Sequence, residues 1–411
     1  MSYGIFVDRY INYASTLTDA NPELHAMAGK ALLSAAIGRR AFIRFSYGRM
    51  YLNVYQMGIV PPSGRKTTVF GIAEEILEKA GLNDILLPNK CTPEKLMQTL
   101  SRNSHRMYIS DEYSIFMIDA LKQYNAGLIN DMVKLYDCPK RYVVGRVGEH
   151  RDSDEGDIII ERAFLNKLVF MQPDTFIQHM TSYMFGLGFP QRFEYVFVDA
   201  RESRPRMTLR PENDEEMERV VDMLKLIQRS IHNYTEIVFS DELHELIHKE
   251  IELKYEVLWN DNPLINTFPS RLADQTYKNS ALMAIQRACL SDVLSVPFNT
   301  IEVEKRDVEM VIDYMNSRVI RSLLSLVMKT VGSSGYTDYV KMLMKIEDII
   351  NRHGTNGEIS HSTLLRYGHF QADTLNKHIK QAVLEEKIIE YFKKETGKTR
   401  WYSLMKGGIN V

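Results

Sequence analysis

Cysteine is scarce in this chain. It occurs three times in 411 residues, at Cys91, Cys138 and Cys289. Three scattered thiols build neither a disulfide framework nor a cysteine zinc site, and they suit a reducing compartment. An excess of one charge is missing too: 51 Lys and Arg stand against 53 Asp and Glu, a formal net charge of −2. The chain is therefore no bulk polycation, and contact with nucleic acid has to come from local patches. Long apolar runs are also absent, since no stretch approaches the ~20 residues that span a bilayer. The opening "MSYGIFVDRYINYAS" lacks the charged and then apolar pattern of a secretion signal. The expectation is a soluble, cytoplasmic protein without membrane association. Core-forming residues, by contrast, are plentiful: 45% of the chain is hydrophobic, enough for two or three globular domains.

"PELHAMAGKALLSAAIG" (Pro22 to Gly38) has helical apolar spacing, with Pro near its start and Gly at its end. "AFIRFSY" and "MYLNVYQMGIV" read as strands, rich in β-branched and aromatic residues. The second strand runs into "IVPPSGRKTT", and "TTVFGIAEEILEKAGL" then reads as an amphipathic helix closed by Gly81. Further strands are expected in "HRMYIS", on both sides of a polar tip in "RYVVGRVGEHRDSDEGDIIIERAF", and in "NKLVFMQPD" and "RFEYVFVDA". Strands alternating with helices point to an α/β sheet domain. From Glu212 onward the chain reads as helical, and "VGSSGYTD" (Val331 to Asp338) reads as a linker.

The stretch between strand and helix departs from the phosphate-loop pattern G-x-x-x-x-G-K-[ST]: Arg65 stands where glycine precedes the lysine, and Gly64 sits one step earlier. A phosphate loop points backbone N–H groups and a helix N-terminus at the phosphates. Ser63, Gly64, Arg65 and Thr68 are candidates for that cradle, Lys66 for the terminal phosphates, and Thr67 for Mg²⁺. A basic turn capping a helix, or a degenerate loop, remains the alternative. "MYISDEY" places two acids after an apolar strand: Asp111 is a second candidate Mg²⁺ ligand, and Glu112 a candidate to orient the attacking water. The alternative is an ordinary strand end with two solvated acids. Gln172, ending "KLVFMQ", is a candidate γ-phosphate sensor or a plain strand terminus. Arg192, in "GLGFPQRFEYVF", is a candidate arginine finger or a surface arginine.

At the C-terminal end, "DYVKMLMKIEDIINRHG", "EIS", "HSTLLRYG", "QADTLNKHIKQAVLEEK" and "IIEYFKKETGKTRWYSL" follow the order helix, strand, helix, helix, hairpin of a winged helix-turn-helix. Its second helix offers Asn376, Lys377, Lys380 and Gln381 to DNA, and its wing offers Lys393, Lys394, Lys398 and Arg400, with Trp401 packed in the hairpin. Winged helices also mediate protein contacts, and the basic tip favours DNA. "HELIH" (His244 to His248) matches the zinc-peptidase spacing H-E-x-x-H. Its setting in "DELHELIHKEIELKYEV" reads as a solvated amphipathic helix without a distant third ligand, and the metal reading is rejected.

Taken in order, "NVYQMGIVPPSGRKTT", "MYISDEYSIFM" with "GLINDMVKLYDCP", "AFLNKLVFMQPDTF" and "GLGFPQRF" resemble a family. It is the helicase-like ATPase domain of unknown function carried by prophages, plasmids and other mobile elements. Its relatives are the minichromosome-maintenance proteins and mobile-element primase–helicases. The resemblance covers roughly Asp19 to Ser280, and members often carry a non-glycine residue before the loop lysine. It implies an α/β fold: a RecA/AAA+-like P-loop ATPase core with a helical lid and a C-terminal winged-helix domain. The expected division is a helical segment over 1–40, the ATPase core over 41–211, the lid region over 212–332 and the winged helix over 338–406. The resemblance makes Lys66 and Thr67 Walker A, Asp111 and Glu112 Walker B, Gln172 sensor 1 and Arg192 the finger, with Arg271 in "PSRLADQTYKNSALMAI" as a second sensor. It implies ATP and Mg²⁺ bound between subunits of a ring, expected to be a hexamer. It also turns the hairpin from Lys140 to Glu161 toward DNA in the channel, with Lys140, Arg141, Arg146, His150 and Arg151 as contacts despite its acidic tip. Priming would need another protein, because the segment before the core is short. The functional expectation is an ATP-driven replicative helicase of a mobile element. The alternative is a non-motor ATP switch: an initiator, loader or defence regulator.

Overall fold

A computed structural model describes residues 2–404 apart from 63, 89–91, 121, 123–126, 146–156, 181, 199–213, 261–264, 291–297, 331–334, 355–356, 371, 373–374, 377–378, 380–381, 383–387 and 393–398. The chain divides into two compact units, Met1–Ser322 and Leu323–Val411.

The first unit is α/β, and its described strands form two four-stranded sheets and one two-stranded sheet. Its strands are β1 (Ala41–Phe45), β2 (Gly48–Tyr51), β3 (Tyr55–Ile59), β4 (His105–Ser110), β5 (Arg141–Val144), β6 (Ile158–Glu161), β7 (Phe164–Met171), β8 (Glu194–Phe197), β9 (Ile231–Val238) and β10 (Phe298–Glu302). One sheet has the order β4-β7-β3-β8, and all its neighbours are parallel. Every residue of β3 and β7 is buried, as expected of parallel strands covered on both faces. The cover on one side includes α2 (Pro22–Ile37), which follows α1 (Ile5–Leu17) and packs on both strands. All of α2 from Leu24 to Ile37 is buried, so it is a core helix rather than a surface one.

Gly58 makes this packing possible. A Cβ there would lie 2.6 Å from Phe170 Cδ1 and 3.2 Å from Leu24 Cδ2. Phe170 is itself stacked on Phe70, with ring centroids 4.4 Å apart, and has no room to retreat. Gly58→Ala is therefore expected to cost about 1–3 kcal/mol through overpacking. A urea midpoint equal to wild type would refute this.

The run "MYLNVYQMGIV" is not one strand. It is cut at Leu52–Val54, so that β2 pairs antiparallel with β1 while β3 enters the parallel sheet. Buried Asn53 makes the handover: its Nδ2 donates to Tyr136 O at 2.9 Å, and its Oδ1 accepts from Lys278 Nζ at 2.8 Å. A second departure concerns residues 212–332. Two strands, β9 and β10, lie within this otherwise helical stretch and complete the sheet β10-β9-β1-β2. β9 is parallel to both its neighbours. The segments 1–40 and 212–322 thus share one unit with the parallel sheet.

The second unit holds the antiparallel sheet β11-β13-β12, formed by β11 (Glu358–Ser360), β12 (Ile388–Phe392) and β13 (Arg400–Leu404). Helices Gly335–His353 and His361–Gly368 accompany it. Its core joins Leu343, Ile346 and Ile350 of the first helix to Leu364, Leu375, Ile379 and Tyr402. No helix of the described residues is long and apolar enough to cross a membrane.

Candidate functional site

The carboxyl ends of β4, β7 and β3 lie side by side, with Ile59 opposite Met171 and Ser110 opposite Val169. In open parallel sheets, ligand crevices form outside this edge. β3 leads into the loop 60–65, β7 into Gln172 and β4 into Asp111 and Glu112, so Gln172 stands between the loop and the acids.

The loop starts with Val60 N–H donating to Met171 O at 2.8 Å and tightens where Gly64 N–H reaches Pro61 O at 3.3 Å. A Cβ on Gly64 would collide with Val60, so the position needs glycine. Ser63 lies outside the described residues. Arg65 then adopts a left-handed backbone, φ 58° and ψ 27°, and caps α3 (Lys66–Lys79). For a non-glycine residue this conformation costs about 1–2 kcal/mol. The Arg65 Nε donates to Asp19 Oδ1 at 3.1 Å. Because Val69 N–H is bonded to Arg65 O, the amides of Lys66, Thr67 and Thr68 are the donors that a helix start leaves without intrahelical acceptors. Among the described residues, the Lys66 ammonium has no hydrogen-bond or ion-pair partner.

Thr67 closes the site. Its Oγ1 donates to Asp111 Oδ2 at 2.7 Å, on the solvent side of the edge. Hydroxyl and carboxylate thus converge from two elements that are 44 residues apart. Glu112 accepts from Ser114 Oγ at 2.5 Å. Both acids are held by Tyr113, whose N–H donates to Phe170 O at 3.0 Å. The Tyr113 ring is fully buried, and its hydroxyl accepts from Lys167 Nζ at 3.0 Å. Burial lowers the pKa of Lys167 well below that of an ordinary lysine. Tyr113 as an anchor was not singled out from sequence, although an aromatic directly after two acids was visible there.

Glu74 is another addition. It lies seven residues after Thr67, on the same face of α3. Burial, and then the charge of Asp111, raises its carboxyl pKa. Neutralising the neighbour with Asp111→Asn is expected to bring the Glu74 pKa part of the way back down, leaving the contribution of burial. A carboxyl NMR titration that shows no movement would place the two acids out of electrostatic reach.

Gln172 caps the helix Pro173–His179 through its backbone, its carbonyl accepting from Phe176 N–H at 2.9 Å, and its side chain takes no part in the cap. Arg192 and Arg271 are elsewhere. Glu194 of β8 is opposite Gln56 of β3, so Arg192 sits at the amino edge of the sheet, about 20 Å along the strands from the loop. It is 6% exposed, and its guanidinium donates to Gly188 O at 2.7 Å and to Asp137 Oδ2 at 3.3 Å. Arg271 shares Asp137, at 3.4 Å, and also pairs with Asp274 at 2.9 Å. The fold therefore brings Gly64 to Thr68, Asp111, Glu112 and Gln172 to one edge, and places both arginines at the other.

β5 and β6 form a two-stranded hairpin in which Arg141 Nε faces Glu161 Oε1 at 3.5 Å, both side chains exposed. Arg146, His150 and Arg151 lie outside the described residues, as do Lys377, Lys380, Gln381, Lys393, Lys394 and Lys398. Arg400 begins β13 and pairs with Glu390 at 3.5 Å. In "HELIH", His244 Nδ1 meets Tyr277 OH at 2.9 Å, whereas His248 Nδ1 meets Glu252 Oε2 at 2.9 Å. The two rings serve different partners. His244 packs among Phe45, Phe239 and Tyr277, so this helix is less solvated than its sequence indicates.

In comparisons with known proteins, no family model matches the chain and no curated protein matches it in sequence.

Proposed function

We propose that the chain is a P-loop ATPase that acts on DNA as a ring-forming motor, a replicative helicase of a mobile genetic element. The observation that carries this reading is the Thr67–Asp111 contact at the carboxyl edge of a parallel sheet, beside a loop that ends in a helix start. The strand order supports it, because the strand leading to Gln172 separates the loop strand from the acid strand. The paired hydroxyl and carboxylate are hard oxygen donors of the kind Mg²⁺ prefers. When bound, Mg²⁺ would neutralise the charge of the terminal phosphates. The residues of the chain do the rest. The amides of Lys66 to Thr68 hold the phosphates, the Lys66 ammonium pairs with the terminal one, Glu112 accepts a hydrogen bond from the attacking water, and Gln172 is set to meet the γ-phosphate.

Arg192 and Arg271, at the far edge, serve the site of a neighbouring subunit in this reading, which makes an oligomer part of the proposal. The second unit, with its helices and three-stranded sheet, is read as a winged helix that binds DNA. One observation favours the alternative of a non-motor switch. The Arg192 guanidinium is already engaged inside its own subunit, so assembly has to release it.

The test is steady-state ATP turnover with and without single-stranded DNA. Turnover that rises with DNA is expected. Turnover indifferent to DNA would favour the switch, and no turnover in either condition would remove the ATPase reading.

A further inference from the structure

We infer that Asp19 is a positioning residue for the phosphate loop: it holds the Arg65 side chain aside and so keeps the loop in its left-handed turn. The inference rests on the nucleotide reading proposed above. Arg65 stands where the phosphate-loop pattern has the glycine before the lysine, and its backbone takes the conformation that glycine adopts without cost. An arginine there raises two problems. The backbone is pulled toward other conformations, and a long side chain has to be kept out of the space where phosphates would bind. The Asp19 carboxylate, 3.1 Å from Arg65 Nε, answers both.

The fold delivers Asp19 to this place. Asp19 lies in the turn between α1 and α2, two residues before Asn21, whose Oδ1 caps α2 by accepting from Glu23 N–H at 2.8 Å. Leu24, in the first turn of α2, packs against Gly58 near the end of β3. That contact sets the start of α2 above the strand that feeds the loop, and the turn before it reaches Arg65. The second carboxylate oxygen of Asp19, Oδ2, is buried and without a hydrogen-bond partner among the described residues. Among the described residues, the Asp19 carboxylate thus pairs with Arg65 through Oδ1 alone.

The test measures binding of Mg·AMPPNP by titration calorimetry on the full chain. The variants are Asp19→Ala, Arg65→Gly, the double variant and Lys66→Ala. Asp19→Ala is expected to weaken binding about tenfold. Whatever Arg65→Gly alone does, the double variant should stay within about twofold of it, because no side chain remains for Asp19 to hold. Asp19→Asn, which keeps the shape of the turn, should weaken binding in the same direction. Binding by Asp19→Ala equal to or tighter than wild type would overturn the inference. So would a loss that persists undiminished in the double variant, since Asp19 would then merely support its own turn. If Lys66→Ala abolishes binding while Asp19→Ala does nothing, this inference alone falls. A wild type that binds no nucleotide removes the ATPase reading and this inference with it.

Discussion

Lys66→Ala is expected to lower ATP turnover by about 10²–10³-fold, the loss typical of removing one preorganised group that meets charge developing in the transition state. The geometry makes this a clean experiment. Lys66 is half-buried at the first position of α3, and among the described residues its ammonium has no partner within the chain. Removing it breaks no hydrogen bond or ion pair among the described residues, so stability should stay within about 0.5 kcal/mol of wild type. A large loss of turnover with an unchanged urea midpoint would assign the effect to the phosphates. A large loss accompanied by unfolding would not support the site. Unchanged turnover would mean that any hydrolysis occurs elsewhere.

The second large effect concerns pH. His25 lies inside α2, fully buried, beside the ring of Tyr10 at a centroid distance of 6.2 Å. Neither ring nitrogen has a hydrogen-bond partner in the described structure. Burial alone lowers its pKa from 6.5 to about 4. Well above pH 6.5 the ring is neutral in both folded and unfolded chains and contributes nothing to pH dependence. Below it the unfolded chain takes up a proton that the folded chain refuses, so stability falls as pH falls toward about 4. The loss from this one residue across that window is about 3 kcal/mol. His25→Leu should remove it, so the variant's advantage over wild type should widen as pH drops through the window. Carboxylates that titrate in the same range cancel in the comparison. A difference between the two proteins that does not change with pH would contradict the account.

The parts of this fold that were legible in the sequence are those decided locally. The strand, loop and helix from Tyr55 to Lys79 are punctuated by Pro61, Gly64 and Gly81: Gly64 leaves room for Val60, and Gly81 takes φ 75° after the helix. The apolar strand before Asp111 and the two strands flanking the polar tip after Arg141 are equally local. What was hidden depends on partners far away in sequence. The cut between β2 and β3 is made by contacts of Asn53 with Tyr136 and Lys278, which no pattern within "MYLNVYQMGIV" announces. β9 was hidden for a local reason: Tyr234 takes φ 80° and interrupts the alternation of a run that otherwise buries Ile231, Thr235 and Ile237. The residues lining the candidate site were legible because each directly follows the carboxyl end of an apolar strand, and in a parallel sheet those ends share one edge. Their supports, Asp19 under Arg65 and Tyr113 under the acids, were not. Nor was the shared use of Asp137 by Arg192 and Arg271, which join across 55 and 134 residues of chain.

In the proposed reading, a magnesium nucleotide seats on the loop between Val60 and Thr68, against Asp111. Hydrogen exchange of the backbone amides, with and without Mg²⁺ and ATP, tests this most directly. Slowed exchange is expected in peptides covering the loop and the first turn of α3, and in those covering Asp111 to Tyr113. It should require both Mg²⁺ and nucleotide, and it should vanish in Lys66→Ala. Exchange unchanged in both segments, or protection that appears only elsewhere in the chain, would contradict the account.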